Sequence, residues 1–211
     1  MASQQIVAAK GEIVIPDPPF AYKLFSTTAF AWLFVIVRVW LGWQWLSSGW
    51  GKFNNPKWLQ TGEALQGYWL NAVKIPEQGR PPISFDWYRS FLQFLLDTDA
   101  YTWFSKLIVF GEIAIGLSLI LGAFVGIAAF FGGFMNWNFI MAGSASTNGM
   151  LFALSIFLIL GWKVAGYYGL DYYLLRYVGV PWKSAEKQRE VVAGMSATST
   201  TGDLVQTPER P

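Results

Sequence analysis

Two charged side chains lie inside stretches of sequence that are otherwise almost free of charge. Arg38 falls in the apolar run 28–48, and Glu112 falls in the apolar run 103–122. A charge at the centre of a membrane-spanning helix costs at least about 2.5 to 3.5 kcal/mol on insertion scales, so such residues face the protein interior and mark functional sites. Equal depth on neighbouring helices predicts an ion pair between Arg38 and Glu112, which could exchange protons with a bound group or only fix two helices together.

A glycine lies one helical turn beyond each of these charges. Gly42 follows Arg38 by four residues, and Gly116 follows Glu112 by four residues. Glycine allows the backbones of two helices to approach each other closely. The spacing therefore predicts close packing of the two helices beside their charges.

Aromatic and polar residues near the charges suit a flat ring that carries oxygen atoms. Trp45 lies on the helical stripe of Arg38, and Asn136 faces inward from a later apolar run together with glycine and alanine. Packing alone also explains tryptophans at such positions. The candidate catalytic residues are Glu112 and Arg38. The candidate cofactor-binding residues are Arg38, Trp45, Glu112 and Asn136.

The composition excludes several chemistries, because the 211 residues include no cysteine and no histidine. Without thiolate or imidazole ligands we expect no haem, no iron–sulfur cluster and no zinc of the usual kinds, and we predict no metal ligands. Mechanisms that need a histidine base with a serine or cysteine nucleophile are excluded as well. Any redox chemistry must use a bound organic cofactor or a partner subunit.

The same composition predicts an integral membrane protein. Hydrophobic residues make up 54% of the chain and charged residues only 13%, whereas a soluble domain carries about 25% charge. Helices of about twenty residues can cross a hydrocarbon core about 30 Å thick. We predict four spans, and hence an all-α membrane four-helix bundle within residues 28–176. The spans are residues 28–48, 103–122, 123–142 and 149–168.

The long connection between the first two spans has a helical periodicity of its own. Within residues 57–99, apolar side chains recur on one face of each of two segments. These faces comprise Trp58, Leu65, Trp69 and Ala72, and then Phe85, Tyr88, Leu92 and Leu95. Their Trp and Tyr content suits the lipid headgroup level, so we predict two amphipathic interfacial helices.

The two ends of the chain are polar. In residues 1–27 a run of prolines predicts an extended approach to the first span, and residues 177–211 form a tail that we expect to be partly disordered. Four spans place both termini on one side, and basic residues behind the fourth span favour the cytoplasmic side of a prokaryotic inner membrane. We expect the lipid bilayer and other membrane or peripheral subunits as partners. No block of basic residues indicates a nucleic-acid partner.

The order and spacing of these residues resemble the DoxX family of small membrane proteins, which includes the DoxD-like subunit of thiosulfate:quinone oxidoreductases. The likeness covers about residues 31–175. The motifs that carry it are Arg38, Gly42, Gly49 and Lys52 with Asn55-Pro56-Lys57-Trp58; Glu112, Gly116 and Gly122; Asn136-Trp137-Asn138-Phe139 with Ala142-Gly143-Ser144; and Trp162-Lys163-Val164-Ala165-Gly166 before Asp171. The resemblance implies a four-helix bundle and a quinone-linked redox role.

Two functions fit the sequence. In the first, the chain is a quinone-binding membrane subunit of an oxidoreductase assembly and is not catalytic alone. Arg38 and Glu112 would then bond to the quinone oxygens or exchange protons with them, while Asn136 orients the ring and Trp45 flanks it. In the second, the chain is a non-catalytic scaffold or assembly subunit of a membrane respiratory complex. A small transporter is disfavoured, because we find no inverted repeat and no pair of broken helices.

Overall fold

The regular elements are all helical in the part of the chain that the computed structural model describes, residues 17–175 and 177. The elements are α1 (Pro19–Phe25), a 3₁₀ turn (Thr28–Phe30), α2 (Ala31–Phe53), α3 (Pro56–Leu59), α4 (Glu63–Val73), α5 (Asp86–Asp97), α6 (Tyr101–Leu121), α7 (Val125–Met141), α8 (Asn148–Leu160), α9 (Trp162–Ala165) and α10 (Asp171–Leu174). All of these belong to one compact unit, which ends at Leu174. The tail predicted over residues 177–211 lies outside the described residues except for Tyr177.

Among the residues that the structure describes, two helical segments are long and apolar enough to cross a membrane. They are Thr28–Phe53, with a mean hydropathy of 1.4, and Tyr101–Leu121, with a mean hydropathy of 1.9. Helices α7 and α8 are equally apolar in character but shorter, with 17 and 13 residues. At 1.5 Å per residue they measure about 25 Å and about 20 Å.

Four helices pack side by side around a common core. Helix α2 contacts α6 and α8, while α7 contacts the same two helices from the other side. The core between them contains large apolar side chains and small residues that let the helices approach, including Phe34, Leu41, Trp45, Leu119, Ala128, Ala129 and Leu158.

The glycine stripe predicted from the sequence lies at the closest contact between α2 and α6. A Cβ atom on Gly42 would lie 2.9 Å from the carbonyl oxygen of Gly116, and one on Gly116 would lie 2.6 Å from the backbone nitrogen of Leu46. Real Cβ contacts are longer than this, so any larger residue would force the helices apart. The prediction of close packing beside the charges is confirmed.

The connection between α2 and α6 contains the two helices α4 and α5. Their apolar faces pack against each other, α4 also contacts α6, and together they bury Leu65, Trp69, Ala72, Tyr88, Leu92 and Leu95. The placement of Phe85 on this buried face is wrong. Its side chain is 53% exposed, because Phe85 precedes the first residue of α5 and lies outside the helical repeat.

Three other boundaries differ from the predictions. The prolines before the first span do not keep the chain extended, since Pro19 begins α1 at the position where a helix tolerates proline. Helix α2 does not end at residue 48 but continues to Phe53. The fourth apolar run is interrupted at Gly161, where a Cβ atom would overlap the ring of Phe34, which stacks on Phe157.

Candidate functional site

The buried carboxylate of Glu112 is paired with Lys52. Lys52 Nζ donates to both carboxylate oxygens at 2.7 Å and to Ser48 Oγ at 2.7 Å. Glu112 is 1% exposed, whereas the side chain of Lys52 keeps 18% of its exposure. The ammonium group also lies 5.2 Å from the centre of the Trp58 ring. The site therefore contains an ion pair with no net charge, in which the carboxylate is buried and the lysine side chain is partly exposed to solvent.

The pairing of Arg38 with Glu112 predicted from the sequence is wrong. Helices α2 and α6 are antiparallel, and Gly49 packs directly against Glu112 while Arg38 lies beside Leu119. Seven residues of α6 separate those two levels, which corresponds to about 10 Å along the helix axis. Because α2 continues beyond Gly49, Lys52 instead reaches the level of Glu112.

Arg38 has a structural position at the opposite end of the helices. Its guanidinium donates to the carbonyl oxygens of Leu119 at 2.7 Å, Ile120 at 2.8 Å and Tyr168 at 2.8 Å. Carbonyl groups in the last turn of a helix lack intrahelical partners, so the arginine satisfies the end of α6 and ties it to the chain beyond α9. A Cβ atom on Gly122 would meet this guanidinium at 2.7 Å.

Asp171 lies at the same end of the structure and bonds to the backbone at the start of α7. Its carboxylate accepts the backbone N–H groups of Phe124 at 2.6 Å and Val125 at 2.9 Å. Val125 begins α7, so the carboxylate caps the positive end of that helix. Arg38 and Asp171 thus stabilise the ends of the two helices that meet at the tight turn around Gly122.

A polar cavity of about 520 Å³ lies at the end of the bundle to which α4 and α5 connect. It brings together three of the four predicted binding residues, Trp45, Glu112 and Asn136, and does not include Arg38. Lys52, Ser48, Tyr68, Phe139, Ser144 and Asn148 also line it. Its volume lies within the range of small-molecule sites.

Two residues that line this cavity carry buried polar atoms without hydrogen-bond partners among the described residues. Neither Nδ2 nor Oδ1 of Asn136 is bonded, and the indole Nε1 of Trp45 is unbonded and lies against Gly132 of α7, 3.0 Å from its Cβ position. Asn136 is fully buried and Trp45 is 3% exposed. Leaving a buried polar group unpaired costs about 1 to 3 kcal/mol. Such groups are expected where a ligand completes the hydrogen bonds.

The rim of the cavity includes a phenol that stays protonated at neutral pH. Burial raises the pKa of Tyr68, and burial together with the neighbouring Tyr68 raises the pKa of Tyr88 to about 12. Tyr68 donates to the carbonyl oxygen of Phe139 at 3.4 Å, and Tyr88 donates to the carbonyl oxygen of Asn138 at 3.0 Å. These phenols attach the connecting helices α4 and α5 to the end of α7.

The sequence reasoning missed Lys52 and Ser48 as site residues. The signal was present, because Lys52 continues the stripe of Arg38, Gly42, Trp45 and Gly49 by one further step of three residues. The prediction that the helix ends at residue 48 placed Lys52 in a loop. In the structure Gly49 and Gly51 are helical, so Lys52 stays on the stripe and faces α6.

Comparisons of the chain with protein families, with curated proteins and with solved structures return no match. The resemblance to the DoxX family therefore stays a prediction from the motifs.

Proposed function

We propose that the polar cavity binds the headgroup of a quinone, and that the chain is a quinone-binding membrane subunit of an oxidoreductase assembly. The observation that carries this proposal is the unpartnered Asn136 amide, which faces the same cavity as the Lys52–Glu112 pair. A quinone ring offers two oxygen atoms as acceptors on a flat apolar body. The cavity offers a donor to such an oxygen from Asn136 Nδ2, beside the Lys52–Glu112 pair, in which the three ammonium hydrogens are engaged by Glu112 and Ser48.

Each residue has a distinct role in this proposal. Asn136 holds and orients the ring through an amide donor that has no other partner among the described residues, and Trp45 flanks the ring. Glu112 and Lys52 are a carboxylate and an ammonium joined at 2.7 Å, so one can accept a proton while the other donates one. When bound, a quinone supplies the uptake or release of two electrons and two protons. Arg38 has no part in this chemistry, since its guanidinium is engaged by carbonyl groups far from the cavity.

The outer surface of the helices supports a position within a bilayer. Large apolar side chains on α6 and α7 are about half exposed, among them Leu107, Phe110, Ile127, Phe130 and Phe134. A soluble monomer rarely exposes an apolar surface of this extent. We propose that α2, α6, α7 and the apolar run of α8 and α9 form a four-span bundle in a prokaryotic inner membrane, with cytoplasmic termini and with α4 and α5 at the membrane surface.

The electron donor belongs to the rest of the assembly. With no cysteine and no histidine, this chain offers no thiolate for a sulfur adduct and no usual ligand for a metal centre. We therefore propose that a partner subunit delivers the electrons. The resemblance stated above favours thiosulfate as their source.

Quinone retention tests the proposal directly. The full chain is purified in a mild detergent, and the quinone that stays bound is extracted and quantified per mole of protein. We expect Asn136→Leu to lower the bound fraction up to about tenfold, because a quinone oxygen accepts a hydrogen bond from Asn136 Nδ2 that is worth about 0.5 to 1.5 kcal/mol. The same variant should raise the thermal stability of the quinone-free protein, since an unpaired buried amide is replaced by an apolar side chain of similar size.

The matched control is Asn71→Leu on the exposed face of α4, where the asparagine side chain bonds only to Lys74. This variant should retain the wild-type amount of quinone. Equal retention by Asn136→Leu and wild type would contradict the proposal and favour the scaffold function. A loss of thermal stability in Asn136→Leu would assign the amide to the fold and not to a ligand.

A further inference from the structure

A second cavity, of about 610 Å³, lies between the connecting helices α4 and α5 and the pair α6 and α7. Its lining is almost entirely apolar and aromatic, in contrast to that of the polar cavity. We call it the apolar groove. Gly111 and Ile108 of α6 and Met135 of α7 line its wall.

The apolar groove and the polar cavity share a boundary. Tyr68 and Phe139 line both, and their rings meet edge to face with centroids 6.3 Å apart. On α7, Asn136 faces the polar cavity while the preceding Met135 faces the groove. On α6, Glu112 lines the polar cavity while the preceding Gly111 lines the groove. The two spaces are therefore neighbours separated by one layer of side chains.

The groove also opens onto the apolar outer surface. Leu107, Phe131 and Phe134 line it and are 57%, 52% and 51% exposed. These side chains belong to the surface that faces lipid in the proposed four-span bundle. An apolar chain could enter from the bilayer at this point without crossing a polar region.

We infer that the apolar groove holds the isoprenoid tail of the quinone whose headgroup lies in the polar cavity, with Tyr68 and Phe139 at the junction of head and tail. This inference rests on the proposed function. The two neighbouring spaces match the two halves of such a molecule, because one supplies the unpartnered Asn136 amide and a charge pair and the other supplies only apolar contacts and an exit to lipid. A phospholipid acyl chain lacks a ring for the first space, so the quinone tail is the occupant that uses both.

Gly111 provides the variant that fills the groove. A Cβ atom on Gly111 would have Met135 Sδ at 3.8 Å as its nearest neighbour, so Gly111→Leu places its side chain in the groove without a backbone clash. Gly51→Leu is the matched control, because Gly51 is also a helical glycine and has no atom within 4 Å of its Cβ position. Ala114→Phe, at an exposed position of the groove, replaces Gly111→Leu if that variant does not fold.

The experiment compares two probes on the full chain in one detergent. The first probe is a benzoquinone with a ten-carbon alkyl chain, and the second is the same benzoquinone without the chain. All variants are compared in the same detergent, so partition of the longer probe into micelles affects each of them equally. We expect Gly111→Leu to weaken binding of the chain-bearing probe about tenfold and to leave the chain-free probe unchanged, while Gly51→Leu changes neither.

The outcomes separate the two claims. If Gly111→Leu weakens both probes equally, or neither, while wild type binds both saturably, the tail assignment is overturned and the proposed function stands. If wild type binds neither probe saturably, the proposed function fails. Loss of a copurified phospholipid from Gly111→Leu, with quinone binding unchanged, would assign the groove to an acyl chain and overturn the inference.

Discussion

The buried carboxylate of Glu112 is stabilised by one cation, Lys52, because both carboxylate oxygens accept hydrogen bonds from Lys52 Nζ. Taking a carboxylate out of water is costly unless a partner charge and hydrogen bonds accompany it. Removal of the lysine would leave a carboxylate that is 1% exposed without a cation. The pair should therefore be far more sensitive to single substitutions than to a double one.

A double-mutant cycle measures this coupling. We expect Lys52→Met or Glu112→Leu alone to lower the free energy of unfolding in detergent by about 3 kcal/mol, at the low end for buried pairs because Lys52 keeps some solvent contact. The double variant should lose much less than the sum. A parallel cycle of Arg38→Leu with Glu112→Leu should be additive. Coupling in that second cycle, and none in the first, would restore the pairing predicted from the sequence.

Arg38 yields a prediction of the opposite kind, because it acts on the fold and not on the cavity. Arg38→Lys keeps the charge but loses the planar fork that reaches three carbonyl groups. We expect a loss of about 2 kcal/mol in the free energy of unfolding, with the amount of retained quinone unchanged. Retention that falls while the unfolding free energy is preserved would place Arg38 in the ligand site.

The sequence predicts which residues line the site better than it predicts which of them form an ion pair. The residue types identified Trp45, Glu112 and Asn136, and the structure brings all three to one cavity. Equal depth does not identify the partner of Glu112, because depth counted along each apolar run contains no information on the register between the two helices. The contact between α2 and α6 sets the true register, and that contact depends on where two glycines allow the backbones to meet.

At the scale of elements, the contact between α2 and α6 leaves no room for a side chain at Gly42, Gly49 or Gly116. We expect Gly116→Ala to destabilise the protein by about 1 to 3 kcal/mol, because its Cβ atom would lie 2.6 Å from the backbone of Leu46. Gly51→Ala on α2 meets no atom and should stabilise the helix by about 0.5 to 1 kcal/mol. Thermal unfolding of both variants measures the difference. Equal effects of the two substitutions would show that the helices are not in close contact at Gly116.

The elements themselves follow largely from periodicity. Apolar runs and amphipathic repeats indicated the long helices and the two helices of the connection, since one buried face is enough to set their period. The end of α2 and the break at Gly161 did not follow. Both depend on what a glycine packs against, Glu112 in one case and Phe34 in the other, and that information is not local in sequence.

At the scale of the whole molecule, the proposed topology places the polar cavity near the outer face. The cavity lies at the end of the bundle where α2 finishes and α6 begins, and the termini are proposed to be on the opposite, cytoplasmic side. Cysteine labelling tests this arrangement cleanly, because the chain has no native cysteine. In intact cells Gln78→Cys should react with a membrane-impermeant reagent, whereas Ser199→Cys should react only after lysis. The reverse pattern would invert the orientation.

The central claim is that the polar cavity binds a quinone headgroup, and photoaffinity mapping tests it most directly. The full chain in mild detergent is irradiated with an azido-benzoquinone, and the labelled peptides are identified by mass spectrometry. We predict labelling that saturates, that excess unlabelled quinone suppresses, and that maps to the cavity segments 44–52 and 136–148. Asn136→Leu should lower this labelling in the same proportion as it lowers the bound quinone, and Arg38→Lys should preserve it. Labelling confined to the lipid-facing surface of α6 and α7, or unchanged in Asn136→Leu, would contradict the claim.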